Sequence, residues 1–179
     1  GHNLKIVCRN PHLAGHLRTM APIEQLDIVK GDITLKHTIE PHIESSEIVI
    51  NFVGVLNDSS GSQSFKNCHA IGPQNIGELC KKFKVKKYIH FSSIGANIES
   101  ESNYQRSKGL GEKNIHNVYP EAIILRPSIV FGPGDGFFTV QAKLLKSLPV
   151  IPLFANNKYQ CVYVKDIASA ISKIVSKDQ

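Results

Sequence analysis

Short apolar runs alternate with longer amphipathic stretches along the whole chain. Leu4–Cys8, Leu26–Lys30, Ile48–Phe52, Tyr88–Phe91 and Ala122–Leu125 are runs of four or five residues rich in β-branched and aromatic side chains, and each predicts a strand. Ile48–Phe52 is apolar almost throughout, the pattern of a parallel strand buried on both faces. Leu13–Met20 reads as a short helix. A brief helix near Leu35–Ile43 is expected to break at Pro41, and a long one over Gln63–Phe83 to kink or break at Pro73. Another helix starts at Tyr104 and runs to about Val118. Beyond the fifth strand come a glycine-rich loop, Phe131–Gly136, a helix from near Phe137, a short strand over Tyr159–Val164 and a closing helix to Ser176. Alternating strands and helices predict an α/β fold built on a doubly wound parallel sheet.

The densest chemistry lies between His90 and Glu112. A strand ends in Ser92-Ser93, a polar loop follows, and the next helix carries Tyr104-x-x-x-Lys108. Residues four apart share a helix face, so Tyr104 and Lys108 present their polar ends to one space. A serine at the carboxyl end of the strand reaches the same region, where open α/β sheets bind ligands. This set suits carbonyl reduction or its reverse. An ammonium stabilises a nearby phenolate, so Tyr104 can exchange a proton with a substrate oxygen that Ser93, or Ser92, holds. A bare Tyr-x-x-x-Lys is common by chance; the preceding Ser-Ser strand and the following Leu125-Arg126-Pro127-Ser128 give it weight.

Composition narrows the class. With 179 residues, 41% hydrophobic and 20% charged, the chain has room for a real core. No apolar run approaches the ~18–20 residues of a membrane span, and no signal peptide is visible. Cys8, Cys68, Cys80 and Cys161 are scattered, which suggests reduced thiols, and the eight histidines lack ligand spacing, so no metal is expected. Of the +6 net charge, the densest part is Lys81, Lys82, Lys84, Lys86 and Lys87. It reads first as a solvated helix terminus favoured by the dipole, and second as a surface for an acidic partner or anionic membrane. Nucleic acid is not expected, because no aromatic residues interleave the lysines.

In combination these stretches resemble the extended or atypical short-chain dehydrogenase/reductases, with a Rossmann-like fold. The order is strand-Arg9, Gly31-Asp32-Ile33, Asn51-Phe52-Val53-Gly54-Val55, strand-Ser92-Ser93, Tyr104-x-x-x-Lys108 and Leu125-Arg126-Pro127-Ser128-Ile129-Val130-Phe131-Gly132-Pro133. The chain is similar in particular to the NADPH-binding accessory-subunit family of respiratory complex I and its bacterial relatives. That likeness is carried by Asn51–Leu56, Gly95–Ile98 with Tyr104–Glu112, and Pro120–Ser128 through Phe138. The family begins with a strand and a Gly-x-x-Gly-x-x-Gly turn that cradles pyrophosphate, and nothing of that kind precedes Leu4. Gly132, Gly134 and Gly136 follow the wrong strand and read as a cleft wall. A sheet without its first strand has a central gap, so residues are expected to be absent ahead of Gly1-His2-Asn3. Residues 1–179 are then an NAD(P)-binding domain, incomplete at its N-terminus, with only the start of a C-terminal substrate domain at about 137–179.

The resemblance implies site roles. Ser93, Tyr104 and Lys108 form the catalytic set, with Ser93 the member that the complex I subunits do not reliably keep. Cofactor contacts fall on Arg9, Asp32, Ile33, Phe52, Val53, Gly54, Ser92, Tyr104, Lys108, Pro127 and Ile129. An acidic residue at position 9 would favour NAD(H); the guanidinium favours a 2′-phosphate, hence NADP(H). Asp32 meets the adenine amine, or serves only the turn. Pro127 and Ile129 bracket the nicotinamide. The expected function is an NADP(H)-binding partner of complex I subunits, peripheral to the inner membrane on its matrix or cytoplasmic side, with the nucleotide as a structural or assembly ligand. The alternative is an active NADP-dependent reductase or sugar-nucleotide epimerase or dehydratase using Ser93, Tyr104 and Lys108.

Overall fold

The computed structural model describes residues 2–22, 24–147 and 158–177. Gly1 and residues 148–157, which fall within segments expected above, lie outside the described residues. The chain forms two compact units that divide between Leu125 and Arg126.

The first unit runs β1 (Leu4–Cys8), a 3-10 segment (Pro11–Met20), β2 (Leu26–Lys30), α1 (Lys36–Glu44), β3 (Ile48–Asn51), a π-helical segment (Lys66–Ile71) continuing into α2 (Gly72–Lys82), β4 (Lys87–Phe91), α3 (Asn103–Val118) and β5 (Ile123–Leu125). Every pairing is parallel. The strands fall into a pair, β1–β2, and a triplet in the order β3–β4–β5. Among the described residues β1 pairs only with β2, and β3 only with β4, so both are edge strands. Ile39 and Ile43 of α1, Ile76, Leu79 and Cys80 of α2, Tyr88 of β4 and Ile115 of α3 form the core, with Val85 and Tyr119. The two buried phenols are satisfied: Tyr88 donates to the Pro73 carbonyl (3.1 Å) and Tyr119 to that of Val85 (2.7 Å).

The break expected at Pro41 needs correction. α1 runs through Pro41. It puts Ile39 and Ile43 into the core one turn apart, and that burial outweighs one missing hydrogen bond. At Pro73 the helix does not break. It widens into a π turn, in which the Gly72 N–H reaches back to the Asn67 carbonyl. β3 ends one residue earlier than expected, at Asn51, because the Asn51 side chain accepts the Val53 N–H (2.9 Å) and turns the backbone. Nor is the strand buried on both faces: Ile48, Val49 and Ile50 are half-buried, in line with an unpaired edge.

The lysine-rich region is partly neutralised. Lys82 pairs with Glu40 (2.5 Å), Lys86 with Glu47 (2.6 Å) and Lys36 with Glu78 (2.6 Å).

In the second unit β6 (Val130–Phe131), a strand the apolar pattern did not predict, pairs in parallel with β7 (Val162–Tyr163). α4 (Phe138–Ser147) and α5 (Val164–Ser176) complete it. Asp135 accepts the Phe138 N–H (2.5 Å) and caps α4. Gly132 and Gly134 have φ of 146° and 82°, so this loop's glycines serve turn geometry at those two positions.

Candidate functional site

The carboxyl ends of β3 and β4 and the first turns of α3 assemble one site in the first unit. Ser102 caps α3 by accepting the Gln105 N–H. α3 then lies very close to its neighbours. A methyl group at Gly109 would meet the backbone of Asn97 and Ile98 at 2.6 Å, and one at Gly111 would overlap the His69 carbonyl oxygen. This seats Tyr104 and Lys108 at fixed depth.

Lys108 is 4% exposed. Its ammonium donates to the Phe91 carbonyl at the end of β4 (3.0 Å) and lies 3.4 Å from where a Cβ on Gly54 would sit. Burial lowers its pKa to about 8, an effect that the Glu112 carboxylate partly offsets. Tyr104 packs edge-on against His69 (5.3 Å between centroids) and Phe65 (5.7 Å). Its hydroxyl has no hydrogen-bond partner among the described residues. Ser92 and Ser93 both carry a buried Oγ with no partner among the described residues. Buried hydroxyls are ordinarily satisfied, so these two mark a place where a polar group belongs.

The loop after β3 is held from below by two buried side chains. Asn51 accepts the Val53 N–H, and His69 Nε2 accepts the Val55 N–H (3.0 Å). Between them lies Gly54, whose missing side chain leaves its backbone close to the Lys108 ammonium, and Phe52 packs at a tilt on Phe91 (4.7 Å between centroids) with 61% of its surface exposed. Asn51 also donates to His90 Nδ1 (3.1 Å), which leaves the His90 proton on Nε2, buried and without a partner. Burial, then the Lys108 charge, lowers the pKa of His69 to about 4 and that of His90 to about 3.

The other predicted residues stand as follows. Arg9 is exposed just past β1, with no hydrogen bond or ion pair among the described residues. Asp32 uses Oδ1 to accept the Thr34 N–H (2.9 Å) and hydroxyl (2.8 Å), a turn role. Ile33 turns its side chain into the helical layer against Gly72, and its carbonyl accepts from the Asn75 side chain (2.8 Å). Val53 is partly exposed. Pro127 and Ile129 belong to the second unit. Sequence reasoning missed His69 and Asn51. The available signal was a polar residue in otherwise apolar surroundings: Asn51 closing a strand, and His69 in the apolar stretch before Pro73.

A parallel α/β domain with convergent polar groups at its strand ends defines a doubly wound domain of the dinucleotide-binding class. The model of the NAD-dependent epimerase/dehydratase family matches residues 8–179, and the chain belongs to that family. It is 34% identical over 158 residues to the mouse protein NADH dehydrogenase (ubiquinone) 1 alpha subcomplex subunit 9, mitochondrial, covering 87% of this chain and 42% of the mouse protein. It therefore spans less than half the length of that relative. Solved structures share the fold at low identity. The Bordetella bronchiseptica enzyme WbmH in complex with NAD+ aligns with a TM-score of 0.79 at 18% identity, over 98% of this chain and 64% of that one. The Bacillus anthracis dTDP-4-dehydrorhamnose reductase in complex with NADP aligns with a TM-score of 0.73 at 18% identity, over 99% and 72%.

Proposed function

We propose that the chain is the nucleotide-binding part of a protein like the complex I accessory subunit, holding NADP(H) as a structural or assembly ligand at the membrane face of that complex. The observation that carries this reading is the 34% identity to the mouse NADH dehydrogenase subunit across most of this chain. The site's own chemistry fits the nicotinamide–ribose half of such a ligand. The Ser92 and Ser93 hydroxyls, unpartnered among the described residues, the Tyr104 hydroxyl and the buried Lys108 ammonium supply donors beside Gly54, where a Cβ would come 3.4 Å from that ammonium. Arg9, charged and unpaired, suits a 2′-phosphate. A cradle for pyrophosphate is not among the described residues.

When bound, a nicotinamide nucleotide supplies hydride chemistry. This chain's residues would bind the ribose through Tyr104 and Lys108 and orient the ring past Phe52 and Val53. A second reading, a working NADP-dependent reductase or epimerase, is favoured by one observation: the Ser93 hydroxyl, near the Tyr104–Lys108 helix, has no hydrogen-bond partner among the described residues.

One experiment separates the two. The protein is purified from its native membrane without added nucleotide, any ligand is released with acid, and mass spectrometry identifies it. Stoichiometric NADPH that accompanies complex I supports the structural ligand. An empty site that exchanges NADPH freely, with turnover lost in Tyr104→Phe, moves the assignment to the enzyme. NAD in its place overturns the role given to Arg9.

A further inference from the structure

His69 joins the two parts of the site, and its hydrogen bonds fix its proton. The Val55 N–H can only donate, so Nε2 is the acceptor and the proton sits on Nδ1. Nδ1 therefore donates to Ser107 Oγ (2.9 Å), and the Ser107 hydroxyl in turn donates to the Tyr104 carbonyl (2.7 Å). The result is a one-way chain of donors from the β3 loop through the imidazole into the first turns of α3. Every polar atom in it is used. The ring is fully buried, with Phe65 stacked on it (5.1 Å) and Tyr104 against its edge. It sits on the π turn, which packs on the helix bearing Tyr104 and Lys108 and, through the ring itself, reaches the loop bearing Gly54.

We propose that neutral His69 is a positioning residue that sets the spacing between the Gly54 loop and the Tyr104–Lys108 helix, so that nucleotide affinity depends on its Nε2 acceptor. This rests on the nucleotide-binding reading above. The alternative is that His69 only fills the core.

Two amides separate these roles. Glutamine places its terminal oxygen near the position of Nε2 and can still accept from Val55. Asparagine ends near Nδ1, so it can serve Ser107 but leaves the Val55 N–H unmet. NADPH affinity, thermal midpoint and the exchange rate of the Val55 amide are measured for the unmodified protein, His69→Gln and His69→Asn. His69→Gln is expected to bind within about threefold of the unmodified protein. His69→Asn is expected to bind about tenfold more weakly and to exchange Val55 at least about tenfold faster, although both variants lose thermal stability to a similar extent. The proposal fails if the two variants lose affinity alike, in step with their midpoints, or if Val55 exchanges at the same rate in all three. Failure of the unmodified protein to bind NADPH at all overturns the nucleotide reading itself, and is distinct from either of those results.

Discussion

Lys108 is the residue at which burial and charge compete most directly. The ammonium is taken almost wholly out of water, keeps one carbonyl bond and one nearby carboxylate, and titrates near 8 instead of 10.5. Two opposite pH effects follow. In the ligand-free protein the unfolded chain holds the Lys108 proton more tightly than the folded one, so this group adds stability as pH rises from 8 toward 10.5. On the proposed nucleotide reading, ligand binding goes the other way, because the charged form would be the one to meet the ribose hydroxyls. If only that form binds, affinity should be nearly constant well below pH 8, fall about fivefold between pH 8 and pH 9, and fall about tenfold per unit above that. Titration calorimetry over that range measures it. Lys108→Arg, which stays charged, should flatten the profile even if it binds less well. A flat profile in the unmodified protein would show that the ammonium does not contact the ligand.

The elements that hold this residue were legible to different degrees. β1, β2 and α3 follow directly from local pattern, because β-branched runs and a serine cap act within a few residues. The Tyr104–Lys108 face was readable for the same reason. The π turn and the role of His69 were not, since they depend on Val55, fourteen residues away, and on Ser107, thirty-eight away. Pro73 shows the same thing. Without an N–H it leaves the His69 carbonyl without its usual helical partner, and α3 approaches that oxygen at Gly111. Helix propensity says that Gly111→Ala should stabilise by about 1 kcal/mol. The contact says otherwise, because the methyl group would strike backbone that neither helix can move aside. Overpacking of this kind costs about 1–3 kcal/mol and should win. Gly111→Ala is expected to lower the thermal midpoint by several degrees, while Gly15→Ala, with open space around it, should leave it nearly unchanged. A midpoint for Gly111→Ala at or above that of the parent would mean the helices are not packed this closely.

Across the whole molecule, the buried polar layer between the sheet and α3 makes the fold sensitive to acid. His69 and His90 are neutral inside the protein, with pKa values of about 4 and about 3, and both would be charged in an unfolded chain below pH 6.5. The unfolded state therefore binds more protons across that window, and stability present above pH 6.5 is lost as pH falls toward the folded values. At pH 5 each histidine has cost roughly 2 kcal/mol, so the pair removes on the order of 4 kcal/mol. A domain typically has only about 5–15 kcal/mol in total. The exposed ion pairs of Glu40 and Glu47 are lowered by their lysines and act with the same sign at lower pH, but solvent screening makes them minor. A net charge of +6 that grows on acidification works in the same direction through self-repulsion. Urea unfolding at pH 7, 6 and 5 should show the midpoint falling steeply with each step. His90→Asn ends near the position of Nδ1, can still accept from Asn51 and does not titrate, so it should reduce that slope by about half. If the unmodified protein unfolds at the same urea concentration from pH 7 to pH 5, the two imidazoles are not buried neutral groups, and the donor chain through His69 loses its fixed direction as well.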